Sequence, residues 1–268
     1  MKTTVAIAAF VVCGYLVGIQ AHAQDANGTL PDVTAPYGVA PVDDEHVFYH
    51  ALLEEFEGRL GANNSFRWEG EAWAGTDINR LWLKSEGERT GNGDLEDGQH
   101  ELFYDRPISS YFDLQAGLRT DIDSKPGRTW AALGIEGLAP LFFHVSATAY
   151  VSSEGHYAAK LEANYDLLLT QRLILQPQVE MNFYSKSDPA RQIGSGLADV
   201  DTGLRLRYEF SRKFAPYIGL TYESKFGGTA DFAHALGERA SDLRFTLGIR
   251  AWLQQRWTKR VCDSLVSF

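Results

Sequence analysis

Apolar and polar residues alternate with a period of two along a long run near the middle of the chain, from Leu173 to Lys186. The apolar positions of this run are Leu173, Leu175, Val179, Met181 and Phe183, and the polar positions are Gln176, Gln178, Glu180, Asn182 and Lys186. Such alternation is typical of a β-strand with one apolar face. The run exceeds an ordinary strand of about 5–6 residues, whereas a tilted strand of about 9–11 residues crosses a bilayer. Its apolar face therefore meets either a protein core or lipid.

The same alternation recurs along most of the chain after residue 46. It predicts twelve strands, at 47–57, 65–74, 79–87, 99–106, 111–121, 129–138, 142–152, 157–168, 173–186, 199–210, 215–224 and 242–252. Pro177 lacks the N–H group that a sheet ladder needs, so we expect an irregularity there.

The connections between these strands alternate in length. The short ones are GTDI, RPISS, LAPL, LLTQR and SRKF, and the long, polar ones are ERTGNGDLEDG, DIDSKPGR, SKSDPARQIGSGLAD and SKFGGTADFAHALGERASD. Short periplasmic turns and longer extracellular loops are how outer-membrane barrels are built. An even number of strands then places both ends of the barrel at the periplasmic side.

The first 23 residues have the organisation of an export signal. Lys2 precedes an apolar core from Val5 to Ile19, and the small-residue motif AHA follows at 21–23. Residues 24–45 are rich in Pro, Gly, Asp and Ala without a period, which indicates a flexible periplasmic segment. After cleavage Cys262 would be the one remaining cysteine, so no disulfide framework is expected.

Composition excludes several classes of protein. Asp and Glu number 35 against 25 Lys and Arg, and this acidic balance argues against nucleic acid as a partner. No run of about 18 apolar residues follows the signal, which excludes a helical membrane protein. A soluble β-sandwich also alternates. Strand length, the loop rhythm, the export signal and the Gly and Ala on the apolar faces favour a transmembrane antiparallel up-and-down β-barrel.

Charged side chains of both signs fall on the polar face of the predicted strands. They are Arg80, Lys84, Glu86, Asp113, Arg119, Glu136, Lys160, Glu162, Asp166, Glu180, Arg205, Arg207, Glu209, Glu223, Arg244 and Arg250. Two interpretations remain open. The charges could pair across a narrow lumen and fill it, or the carboxylates could line a cation path.

Two constellations have the residue types of metal or catalytic chemistry. On a strand His46, His50 and Glu54 share a face, which makes a candidate metal site at the periplasmic mouth; the alternative is two solvated histidines. His144 and Ser146 also share a face. A serine hydrolase needs an orienting third group, and in a barrel lipase the pair would have to face lipid, whereas the alternation points both side chains inward. The sequence therefore predicts that the protein is not an enzyme.

Five long segments resemble the copper resistance protein B family. They are INRLWLKSEGER (78–89), LFYDRPISSYFDLQAGLRTD (102–121), LGIEGLAPLFFHVSATAYVSSEG (133–155), YDLLLTQRLILQPQVEMNFYSK (165–186) and GSGLADVDTGLRLRYEFSRKFAPYIGLTYESKFGGTADFA (194–233). The resemblance covers about residues 46 to 253. It implies an outer-membrane barrel of a Gram-negative bacterium that binds copper ions and supports copper resistance by sequestration or export, with periplasmic proteins of the same resistance system as partners. The alternative is a generic narrow pore or structural barrel with no metal role.

The resulting organisation has four parts: a cleaved signal peptide (1–23), a periplasmic N-terminal segment (24–45), the barrel (46–253) and a C-terminal extension (254–268). The metal-ligand candidates are His46, His50, His100, His144, Glu162 and Glu180. One departure from the family concerns copper capture, because members often carry a Met- and His-rich N-terminal segment, whereas residues 24–45 contain neither Met nor His. Met181 falls on the lipid face of its predicted strand, so it is not expected to be a ligand.

Overall fold

The computed structural model describes residues 47–93, 95–122, 127–211 and 213–256. His46, Cys262 and the predicted signal peptide, N-terminal segment and most of the C-terminal extension lie outside the described residues. Within the described residues no helix is long and apolar enough to cross a membrane.

The described chain consists almost entirely of β-strands. They are β1 (Phe48–Leu60), β2 (Ser65–Gly75), β3 (Arg80–Thr90), β4 (Leu95–Pro107), β5 (Phe112–Asp121), β6 (Arg128–Ala139), β7 (Phe143–Ser152), β8 (Tyr157–Asn164), β9 (Leu167–Leu168), β10 (Leu173–Tyr184), β11 (Gly196–Tyr208), β12 (Phe214–Lys225) and β13 (Ser241–Arg256). A 3-10 turn, Pro140–Phe142, precedes β7, and a helix, α1 (Gly227–Ala235), lies between β12 and β13.

Every strand pairs antiparallel with its neighbours, and the β10–β11 pairing closes the sheet into a barrel. The short β9 and the longer β8 both pair with β10, so together they occupy one position in the ring. The predicted twelve-stranded up-and-down barrel is confirmed.

The irregularity expected at Pro177 lies in the partner strand. The β10–β11 ladder runs through Pro177 in register. On the other side of β10, the neighbouring strand is interrupted at Tyr165 and Asp166, which separates it into β8 and β9. The interruption falls opposite Pro177 because proline offers no N–H group to that ladder.

The loop lengths agree with the prediction in part. Turns of three or four residues at 76–79, 108–111, 140–142 and 169–172 form one end of the barrel, here called the short-turn end. At the opposite, long-loop end the connections at 185–195 and 226–240 are long. The prediction of a long loop at ERTGNGDLEDG is wrong, because β3 continues to Thr90 and β4 begins at Leu95. Strand structure persists there because Glu88 still faces the lumen, where Arg59 and Arg244 donate hydrogen bonds to it.

The two faces of the sheet separate as the alternation predicts. Large hydrophobic side chains such as Leu133 and Leu247 lie exposed on the outer face, as a lipid-facing surface requires. On β10 the inward side chains Gln176, Gln178 and Glu180 all form hydrogen bonds with lumen residues. Met181 takes the opposite, outer face of the same strand, as predicted.

The inner wall also carries a patch of buried aromatic side chains. Trp82, Phe103, Trp130 and Tyr150 pack together there with Ala132. Most of the remaining inner surface is polar or charged, so the lumen is filled by ion pairs as well as by packing.

A β-bulge in β1 decides which of its charges face the lumen. The register with β2 shifts between Leu53 and Glu55, which leaves Glu54 as the extra residue. Before the bulge Leu52 faces inward; after it, Glu55, Glu57 and Arg59 do, and all four are buried. Bulges re-aim side chains in this way by inserting one residue into one strand.

Candidate functional site

Two ion pairs cross the lumen near the middle of the barrel. Arg67 on β2 donates a hydrogen bond of 2.9 Å to Glu180 on β10. Lys160 on β8 lies 2.8 and 2.7 Å from the two carboxylate oxygens of Glu86 on β3. In each case four strands separate the partners on the shorter way round the ring. These pairs therefore join opposite walls of the barrel.

Three carboxylates gather beside these cross-lumen pairs. Oxygen atoms of Glu69, Glu86 and Glu162 all lie within 4.8 Å of one another. We call these three residues the acidic triad. Lys160 Nζ is 2.7 Å from Glu162, and Arg67 is 3.7 Å from Glu69. The triad is the place where the lumen brings the carboxylates of β2, β3 and β8 together.

The surroundings of the triad leave it short of positive charge. The triad and Glu180 supply four carboxylates, whereas Arg67 and Lys160 supply two cations, so carboxylates outnumber cations by two (4 − 2). Glu55 also contacts Arg67 at 3.2 Å, but Arg205 pairs with it at 2.8 Å. Adding Glu55 and Arg205 to the count adds one carboxylate and one cation, so the excess of carboxylates over cations stays at two.

A second, more deeply buried network lies beside this centre. Arg59 pairs with Glu57 at 2.7 Å and with Asp201 at 2.8 Å, and Arg205 donates two hydrogen bonds to Glu57. Tyr217 donates a further hydrogen bond of 2.9 Å to Glu57. Since these carboxylates are enclosed by cations and hydrogen-bond donors, this network is structural.

The half of the lumen toward the short-turn end contains charges and aromatic rings. Lys84 pairs with Glu136 at 2.5 Å. The ring of His50 stacks on Trp73 with centroids 6.0 Å apart, and Trp252 approaches His50 edge-on at 6.5 Å. We call this half of the lumen the vestibule. The triad borders it, since Glu69 and Glu162 lie two residues closer to the short-turn end than Arg67 and Lys160 do.

The structure brings together some of the side chains that the sequence predicts as ligands. We call the acidic triad, Glu180, Arg67 and Lys160 together the central cluster. Glu162 and Glu180 belong to it, 2.7 and 3.6 Å from Lys160. His144 lies on the inner face of β7, diagonally across from Glu162, because its neighbour Ser146 pairs directly with Glu162.

The other histidines lie elsewhere. Aromatic rings surround His50, and His46 lies outside the described residues. His100 shares the outer face of β4 with the exposed Leu102 and Tyr104, so it cannot join a lumen site. Among the described residues, the triad is the group of three potential ligands that comes close enough to hold one ion, and it contains no histidine.

Sequence reasoning missed Glu69 and the role of Arg67. The signal was present, because Arg67, Glu69 and Glu71 alternate with Trp68, Gly70 and Ala72 along β2. The inner position of Glu86 and Lys160 was predicted, but their pairing across the lumen was not.

The chemistry of the triad suits a divalent cation. Oxygen ligands on several strands can replace part of the hydration shell of an ion, as charged rings do in channels. No sulfur ligand faces the lumen in the part of the chain that the structure describes, since Met181 lies on the outer face and both cysteines lie outside that part.

Comparison with known proteins identifies the family. The family model described as "Copper resistance protein B precursor (CopB)" matches residues 47–253. The chain is 44% identical over 212 residues to "Copper resistance protein B" of Escherichia coli, covering 79% of this chain and 71% of the relative. It is 46% identical over 212 residues to "Copper resistance protein B homolog" of Pseudomonas syringae pv. tomato (strain ATCC BAA-871 / DC3000), covering 79% and 72%.

The fold is similar to that of solved porins. The structure of the NanC porin matches with a TM-score of 0.52 at 13% identity, covering 74% of this chain and 98% of that chain. The predicted location in the outer membrane is confirmed by the family and by the barrel. On the match across residues 47–253 and the two relatives, the chain belongs to the copper resistance protein B family.

Proposed function

We propose that this barrel contributes to copper resistance by binding copper ions in its lumen, at the acidic triad, for sequestration or for export across the outer membrane. The observation that carries the proposal is the acidic triad, a group of three oxygen ligands close enough to hold one ion, inside a member of a copper resistance family. The role is one of binding and passage and involves no catalysis.

The ligand types favour copper(II) as the bound ion. Copper(II) accepts nitrogen and oxygen ligands, whereas copper(I) selects thiolates and thioethers. Glu69, Glu86 and Glu162 offer carboxylate oxygens, and His144 offers an imidazole on the same inner surface. We therefore propose His144 as a further ligand on the path between the triad and the short-turn end, with Glu180 holding Arg67 in place.

His50 would act at the periplasmic mouth. It lies near the beginning of β1, on the inner face, with its ring against Trp73 and Trp252. A copper ion that leaves or enters through the short-turn end passes this imidazole. Periplasmic proteins of the same resistance system are the natural partners on that side.

A structural barrel without a metal role is the second candidate function. The two cross-lumen pairs favour it, because Arg67 and Lys160 already occupy much of the space between the carboxylates. In that case the charges only specify the interior of the barrel.

Copper binding to the purified chain separates the two functions. The wild type should bind copper(II) with a saturable isotherm in detergent, measured by calorimetry and by metal content after dialysis. The double substitution Glu69→Gln/Glu162→Gln should weaken binding by about tenfold or more, since even supporting partners of a metal ligand are worth 10–100-fold in affinity.

The matched control is Glu96→Gln/Glu238→Gln, which removes the same charge at the long-loop end, where both carboxylates lie 3.9 Å from Lys225. It should bind copper as the wild type does. Equal weakening in both double variants would mean a general charge effect, and no saturable binding to the wild type would favour the structural barrel.

A further inference from the structure

Lys160 occupies the position that a free cation would take in the central cluster. Its ammonium group lies within 2.8 Å of both oxygens of Glu86, 2.7 Å from Glu162 and 3.6 Å from Glu180. The side chain is only 8% exposed. An ammonium ion held by oxygens of three carboxylates is a tethered counter-ion.

We propose that Lys160 closes the lumen to monovalent cations and yields its place to a divalent one, so that it determines which ions the barrel accepts. The choice of copper as the divalent ion rests on the proposed function. The closure itself rests on the geometry of Lys160 alone.

Charge favours a divalent ion over a monovalent one at this position. Four carboxylates, those of the acidic triad and Glu180, lie around Lys160 and Arg67, so carboxylates outnumber cations by two while both cations are in place. A divalent ion that replaces the ammonium group adds one positive charge to this cluster, whereas a monovalent ion adds none. A monovalent ion carries the same charge as the ammonium group and must compete with a group that is tethered, and hence present at high effective concentration. A divalent ion gains about twice the Coulomb energy from the same carboxylates, so it competes.

Of the two cations in the cluster, Lys160 is displaced more easily than Arg67. Its ammonium group is a compact point charge on a flexible stem, whereas the arginine guanidinium is a rigid fork. Arg67 contacts Glu55, Glu69, Glu86 and Glu180 with that fork. Arg67 therefore stays as the fixed cation while Lys160 moves.

Displacement has a consequence for the lumen. The Lys160–Glu86 pair connects β8 to β3, on opposite walls. When the ammonium group leaves, the space between these walls connects with the vestibule where Glu162 is 33% exposed. The same event that binds the divalent ion thus removes one of the two cross-lumen pairs of the central cluster.

Ion conductance of the full chain in planar lipid bilayers tests this role. In potassium chloride the wild type should conduct poorly, and micromolar copper(II) should raise its conductance. Lys160→Met should conduct potassium several-fold better than the wild type without copper. Lys160→Arg should remain closed and respond less to copper, because the guanidinium group keeps the charge but resists displacement.

The control is Lys186→Met, which makes the same change in the loop 185–195 and should behave as the wild type does. Folding of each variant is checked by the shift of the barrel on unheated gels. Equal potassium conductance of Lys160→Met and wild type would overturn the proposal. If the wild type binds copper in calorimetry and Lys160→Met changes nothing, the inference fails and the proposed function stands. If Lys160→Met opens the lumen but the wild type binds no copper, the closure stands and the copper function fails.

Discussion

Arg59→Met is expected to lower the free energy of unfolding by about 3–5 kcal/mol, the cost of leaving buried carboxylates without their cation. Arg59 lies 2.7 Å from Glu57, 2.8 Å from Asp201 and 3.3 Å from Glu88. These partners come from β1, β11 and β3, so one fully buried guanidinium neutralises carboxylates of three strands. Methionine fills a similar volume but leaves these acids facing one another.

The measurement is denaturant unfolding of the barrel folded into lipid bilayers. Arg250→Met is the matched control, since Arg250 also faces the lumen but, among the described residues, its ion pair is a longer one, with Glu54 at 3.8 Å. Its loss should cost about 1 kcal/mol or less. Adding Asp201→Asn to Arg59→Met should recover part of the loss, because it removes one of the stranded charges. A loss for Arg59→Met no larger than that of the control would show that the network contributes little to stability.

The architecture could be predicted because its cause is local. A strand that separates lipid from a polar lumen must alternate between apolar and polar residues, and residues 173–186 show this alternation. The same alternation identified the inward positions of Glu86, Lys160 and Glu180. What it could not show is the bulge at Glu54, where one inserted residue reverses the parity of β1. Without the bulge, Glu55, Glu57 and Arg59 would share a face with Leu53 and point toward lipid.

The candidate site could be predicted only in part, because it depends on contacts between distant strands. Glu162 and Glu180 were predicted, but which residues meet them is set by the stagger of the strands around the closed ring. Arg67 and Glu180 are 113 positions apart in the chain, and nothing in either local pattern indicates their contact. His100 was predicted as a ligand from its residue type alone. The structure places it on the outer face of β4, away from the lumen.

A substitution on the outer surface has the second largest expected effect on stability. Leu247 lies midway along β13, on the outer face, and is 58% exposed in the isolated chain. We expect this exposed position to contact the hydrocarbon core of the outer membrane. Leu247→Arg is therefore expected to destabilise the barrel by about 2–4 kcal/mol, the cost of a cationic side chain near the bilayer midplane of a β-barrel.

Two control substitutions distinguish an effect of the lipid environment from an effect of the substitution itself. Leu253 shares the strand and the outer face but lies near the short-turn end and is 51% exposed, so Leu253→Arg should cost about 0–1 kcal/mol, as near a membrane interface. Leu236 lies in the long connection 226–240 and is 55% exposed, so Leu236→Arg should have almost no effect. The measurement is again unfolding from lipid bilayers. All three side chains are similarly exposed in the isolated protein, so a graded response follows from position relative to the membrane, and equal costs for the three would contradict the lipid-facing assignment of the outer wall.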